Sequence, residues 1–151
     1  MNTDIKFDPR LPIMLDKERY LYCSLYVIDE IQGKFGSWDN LPEVMAGADG
    51  LKNIIWLLTM LLNEGAVYTK YIETGEIAVN EEVNERLVSL LLNAANLQEI
   101  RAAIYKSFAV STSGKTADEI DDEDEDDEDD DENNDDENDE DKEEKNVEPG
   151  D

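Results

Sequence analysis

Histidine is missing from this chain of 151 residues, and cysteine occurs once, as Cys23. These absences remove most of the chemistry a small protein can carry. A Ser-His-Asp triad and a Cys-His pair both need an imidazole, and tetrahedral zinc sites draw on Cys and His. One cysteine makes no internal disulfide, and its plainest role is a small buried apolar residue in a strand. Long apolar runs are also missing. The longest, Leu51 to Leu62, covers 12 residues and is broken by Lys52 and Asn53, where a bilayer span needs roughly 20. The opening MNTDIKFDPR has neither the basic region nor the apolar run of a secretory signal. A single reduced thiol completes the expectation of a soluble, intracellular protein.

Basic residues are scarce as well, with 13 Lys and Arg against 40 Asp and Glu, a formal net charge of −27. The imbalance is local. Asp118 to Asp151 holds 24 acids and 2 lysines, net −22, which leaves Met1 to Ala117 with 16 acids against 11 bases, net −5. The expected organisation is therefore one folded domain, 1–117, and a disordered polyacidic tail, 118–151. Nucleic acid is a poor partner, because phosphate neutralisation needs clustered Lys and Arg and these are scattered singly.

Patterning places the elements. Ile13-Met14-Leu15 and Arg19 to Cys23 flank Asp16-Lys17-Glu18 and read as a β-hairpin, led in by Pro9 and Pro12. Ser24 caps a helix with Leu25, Ile28, Ile31 and Phe35 on one face, stopped by Gly36. Leu41 to Met45 fits one helical turn. In Leu51 to Leu62, the residues Leu51, Ile54, Ile55, Leu58, Leu61 and Leu62 fill one face, and Asn63-Glu64-Gly65 is read as the helix end. Trp56, Leu57 and Met60 lie outside that face, and a second apolar face on so small a domain must be covered by something. They are the candidate partner-binding residues. Ala66 to Ile72 fits helix or strand, Asn80 is read as the cap of a helix through Val83 to Leu92, and Asn96 as the cap of a last helix whose apolar face is Leu97, Ile100, Ile104 and Phe108. Tyr20, Tyr22, Tyr26 and Trp38 fit the core or its rim. The fold class is α+β, predominantly helical: an N-terminal hairpin, then four or five helices, then the tail.

Two local motifs invite chemistry. Gly114-Lys115-Thr116 looks like the end of a phosphate loop, but the required earlier glycine is Ala109, within a helical pattern. Asp121 to Glu132 is carboxylate-rich, yet an EF-hand needs glycine at its sixth position and Asp126 stands there. No cofactor, no metal site and no enzyme activity are expected.

The order of motifs carries further. The hairpin Ile13 to Leu21 leads to a helix ending Lys34-Phe35-Gly36-Ser37. Then come Leu61-Leu62-Asn63-Glu64-Gly65, Arg86-Leu87-Val88, and Asn96-Leu97-Gln98-Glu99-Ile100 with Ala103, Ser107 and Phe108 beyond. This succession, over Ile5 to Ser111, resembles the tail assembly chaperones of long-tailed, siphovirus-type phages and related prophages of Gram-positive bacteria. The resemblance implies a non-enzymatic protein that binds the tape-measure protein, keeps it soluble and helps tail-tube subunits polymerise around it. It implies action in the cytoplasm of the bacterial host, departure before the virion is finished, and in many members a longer form made by ribosomal frameshifting. Self-association is compatible with that role. The acidic tail has no counterpart in the resemblance. The rival reading is an acidic-tailed binder of a basic protein, a chaperone or nucleic-acid mimic; the folded domain binds under the first reading, the tail under the second.

Overall fold

A computed structural model describes residues 7–121 of the protein. The acidic tail from residue 122 onward, with most of the stretch weighed as a calcium loop, lies outside them. The chain divides into two units, Met1–Ile120 and Asp121–Asp151, and every element below belongs to the first.

Strands β1 (Leu11–Met14) and β2 (Glu18–Leu21) form an antiparallel hairpin with Leu11 opposite Leu21 and Met14 opposite Glu18. Asp16 and Arg19 shape its turn. The guanidinium reaches back across three residues, Nε donating to Oδ1 at 2.8 Å and Nη2 to Oδ2 at 2.9 Å. These bonds hold the Asp16 carboxyl at about 2, below its ordinary value. The pair lies at the surface, so it contributes turn geometry more than stability.

Helix α1 (Leu25–Phe35) follows directly. The Ser24 hydroxyl accepts the Val27 N–H at 3.3 Å, and Gly36, at φ 89°, lets the chain turn away. The expected face is rotated: Val27, Ile28 and Ile31 are buried, whereas Leu25 is 82% exposed. Gly33 sits inside this helix on its exposed side, and a Cβ there would meet nothing within 4 Å. Gly33→Ala is expected to stabilise the protein by about 0.5–1 kcal/mol, because glycine loses more backbone freedom on entering a helix. A urea midpoint equal to or below that of the wild type would contradict it.

A 3-10 turn (Trp38–Asn40) and a short helix α2 (Leu41–Ala46) lead to the longest element, α3 (Gly50–Thr74). Its 25 residues span about 37 Å. The expected stop at Asn63-Glu64-Gly65 is not a stop, and the segment after it is helical. Gly65 serves close packing instead. The hairpin crosses α3 at this point, and a Cβ on Gly65 would lie 2.0 Å from the Tyr20 carbonyl oxygen. One turn earlier the Tyr22 N–H donates to the Leu61 carbonyl at 3.1 Å. The helix ends at Gly75, at φ 78°.

The next cap also differs from expectation. Asn84, not Asn80, caps α4 (Glu85–Leu91), its side chain accepting the Leu87 N–H at 2.8 Å. Val83 stays outside the helix because Asn63 holds it from both sides: the amide nitrogen donates to the Val83 carbonyl and the amide oxygen accepts the Val83 N–H, each at 2.9 Å. Val83 just before the cap and Val88 four residues into the helix are both buried in the core, the arrangement of a hydrophobic staple.

Helix α5 (Leu97–Ser113) is preceded by reciprocal bonds between Asn93 and Asn96 and stopped by Gly114 at φ 75°. Its buried residues are Ile100, Ile104, Ser107 and Val110, with Leu97 and Phe108 at the edge of the core. Beyond it the Thr116 hydroxyl and the Glu119 carboxylate cap each other's backbone amides, opening a helical turn over residues 117–120. The boundary expected after Ala117 falls at the first residue of this turn, and Ala117 packs against the core.

The core is one cluster around α3, drawing Leu21 from the hairpin, Val27 and Ile31 from α1, Met45 from α2, Val88 from α4 and Ile104 from α5. Among the described residues, no helix is long and apolar enough to cross a membrane.

Candidate partner-binding surface

Trp56, Leu57 and Met60 occupy three different situations. Leu57 is 0% exposed and belongs to the core, so it is not available to a partner. The buried face of α3 runs through Ile54, Leu57, Leu58, Leu61 and Gly65, while Leu51, expected inside, is 60% exposed. A longer helix explains this rotation. Once α3 continues past Gly65, the hairpin packs on it at Leu61 and Gly65, and Leu57 lies one turn before Leu61 on that same face.

Trp56 is half-buried. The Phe35 ring meets it edge-on at 5.7 Å between centroids, and the Lys34 ammonium lies 5.0 Å from its centre. Met60 is likewise partly buried against the core. At Trp56 this face is thus partly covered by α1, and the surface beside Trp56 is lined by charged groups, among them Lys34, Lys52, Asp49 and Glu85.

Other aromatic residues fasten the hairpin. Arg10 is held by Asp8 in a two-point ion pair, stacks 4.4 Å from the centre of the Tyr20 ring, and donates to Thr69 Oγ1 of α3 at 2.9 Å. Tyr22 packs on Tyr68 of α3 at 5.0 Å, and Trp38 meets Phe108 of α5 at 5.4 Å. Tyr26 is 59% exposed, outside the core and rim expected for it.

Cys23 lies between β2 and α1 and is buried, as expected of an apolar position, although not within a strand. Burial, with a smaller contribution from the Glu64 carboxylate, pushes its thiol up to about 12. It is therefore a poor nucleophile. Glu64 also accepts the Ser24 hydroxyl, tying the first turn of α1 to α3. Gly114-Lys115-Thr116 follows a helix, not the strand that a phosphate loop requires. Among the described residues, no three His, Cys, Asp or Glu side chains come together as a metal site.

The second half of α3 borders two of the surface hollows. Between it and β2 runs a groove of about 470 Å³, with Tyr20, Leu62, Ala66 and Thr69 along it and Lys17, Lys70, Glu73 and Glu82 at its sides. A neighbouring hollow of about 340 Å³ shares Ala66, Lys70 and Glu82 and extends beneath the returning loop that carries Ile77 and Val79. Those two side chains are 63% and 90% exposed. Tyr71 and Ile72, at the end of α3, are about half exposed, at 49% and 48%.

Helical periodicity did not mark this surface, because its residues come from a strand, a helix read as ended, and a loop. The available signal was local: Ile77-Ala78-Val79 is an apolar triplet between turn-forming Gly75 and Asn80, where a solvated loop would be polar. No protein-family model, curated protein or solved structure matches this chain.

Proposed function

We propose that this protein is a tail assembly chaperone of a long-tailed phage or prophage, acting in the bacterial cytoplasm to bind the tape-measure protein and keep it soluble while tail-tube subunits assemble around it. The reading rests on the order of motifs from the hairpin to α5. One structural observation supports it most: exposed Ile77 and Val79 stand beside an open, partly apolar groove on a helical domain. Such a surface suits an amphipathic client helix, whose apolar face would be drawn from water by burial at roughly 25 cal/mol per Å².

The client surface is accordingly assigned to the second half of α3 and the loop after it, rather than to Trp56, Leu57 and Met60. Co-expression of a tape-measure fragment with the wild-type chain and with an Ile77→Asp/Val79→Asp variant tests it. Both side chains are exposed, so the variant should keep the wild-type melting temperature while retaining at least tenfold less soluble client. Capture by the wild type should persist at about 1 M salt, where exposed charges are screened beyond roughly 3 Å. Capture that collapses with salt, or that disappears only when the acidic residues after Asp121 are removed, would replace this reading with electrostatic binding of a basic partner by the tail.

A further inference from the structure

The loop from α3 back to α4 is a strap fastened at its two ends. At the first end Gly75 closes α3, its N–H on the Tyr71 carbonyl at 2.7 Å, and the Glu76 N–H donates to Thr74 Oγ1 at 3.1 Å. At the other end Val83 is buried, and Asn63 grips both its N–H and its carbonyl. Residues 77–82 between them belong to no helix or strand, and none of the hydrogen bonds among the described residues involves them. Segments without such bonds open at the lowest cost in a fold. Gly75, at φ 78°, stands in open space, since a Cβ there would meet nothing within 4 Å. The hollow of about 340 Å³ separates this strap from Ala66, Val67 and Lys70 of α3. Ile77 and Val79 line it and yet are 63% and 90% exposed, so the strap spans the helix without packing on it.

We propose that residues 76–82 are a lid for the client groove. The groove and the hollow share Ala66, Lys70 and Glu82, so a helix lying in the groove can pass an apolar side chain into the hollow. The strap then closes on that side chain, turning at Gly75 and stopped at Val83, and holds it between Val67 and Val79. Closure takes Ile77 and Val79 out of water and breaks no hydrogen bond, so apolar burial drives it unopposed by lost bonding. Release of the client has to wait for the strap to lift. The proposal rests on the client assigned above and adds a moving part to its site.

The test is nuclear magnetic resonance on the full wild-type chain, alone and with a tape-measure fragment. In the free chain the amide order parameters of residues 77–82 should lie below about 0.6, against about 0.85 in α3. In the complex they should rise to the value of the helix, with Val83 unchanged. Nuclear Overhauser contacts should then join one client side chain to the methyl groups of both Val67 and Val79. A strap as rigid as α3 in the free chain, or one still mobile in a complex that forms, overturns the lid and leaves the client surface standing. A client that touches Val79 and not Val67 does the same, because it then lies on top of the strap. Failure of the fragment to bind overturns the client assignment and the lid with it.

Discussion

Gly65→Ala is expected to destabilise the protein by about 3 kcal/mol or more, the range of severe overpacking, and to lower its melting temperature by roughly 10 °C. Elsewhere in a helix interior the same change stabilises, by up to about 1 kcal/mol, because alanine has the better propensity. The sign reverses here because the added Cβ would lie 2.0 Å from the Tyr20 carbonyl oxygen and 2.6 Å from its carbon. Both are backbone atoms, so no side-chain rotation relieves the contact. The hairpin must lift from α3, which strains the Tyr22–Leu61 backbone bond and the stacking of Tyr22 on Tyr68. Denaturant unfolding of the variant beside Gly33→Ala makes the comparison within one protein. If both substitutions raise the midpoint, the close crossing of hairpin and helix is wrong.

Leu57→Ala should cost a similar amount, about 3 kcal/mol within the 2–5 typical of buried leucine. The side chain is fully buried where α3 meets the rest of the core, and its removal leaves a cavity among side chains that relax only in part. Trp56→Ala should cost less, about 1–2 kcal/mol, for the lost edge-to-face contact with Phe35 and the exposed cation above the ring. The order of the two effects is the test. A docking face would leave the melting curve unchanged in both variants and abolish capture of the client; a core position does the reverse. Wild-type-like unfolding of Leu57→Ala would restore the three residues as a partner-binding stripe.

The candidate surface was legible only in part. Trp56, Leu57 and Met60 follow from a helical wheel drawn on Leu51 to Leu62, and the wheel is sound for a helix of that length. The chain continues through Gly65, so the buried face is set by the hairpin lying across Tyr20, Tyr22, Leu61 and Gly65. A glycine that ends a helix and one that admits a neighbouring backbone look alike in sequence. They differ in what lies beyond: Val67, Tyr68 and Tyr71 continue a helical run after Gly65, whereas Glu76 to Asn80 do not continue one after Gly75.

Asparagine carries a similar ambiguity. As a local signal it marks caps, and at Asn84 it is one. Asn63 instead reaches twenty residues along the chain to clamp the backbone of Val83, and Asn53 donates to the Val44 carbonyl at 2.7 Å. These bonds join segments whose proximity depends on the whole fold.

By itself, then, the sequence determined the class and order of the structure: a hairpin turned at Asp16-Lys17, although Glu18 belongs to β2 and not to the turn, a helix bounded by Ser24 and Gly36, a dominant apolar helix, a last helix beginning after Asn96, and acidic charge concentrated beyond Ala117. These features follow from residue chemistry acting over a few positions, through turn geometry, capping and apolar period. Tertiary structure alone decided that α3 runs to Thr74, that Leu57 is core and Leu51 is surface, that Val83 is held outside α4, and that Ile77 and Val79 stand exposed beside the groove. Each of those outcomes is set by contact between segments distant in the chain, where packing against a neighbouring backbone outweighs the local preference of the residue itself.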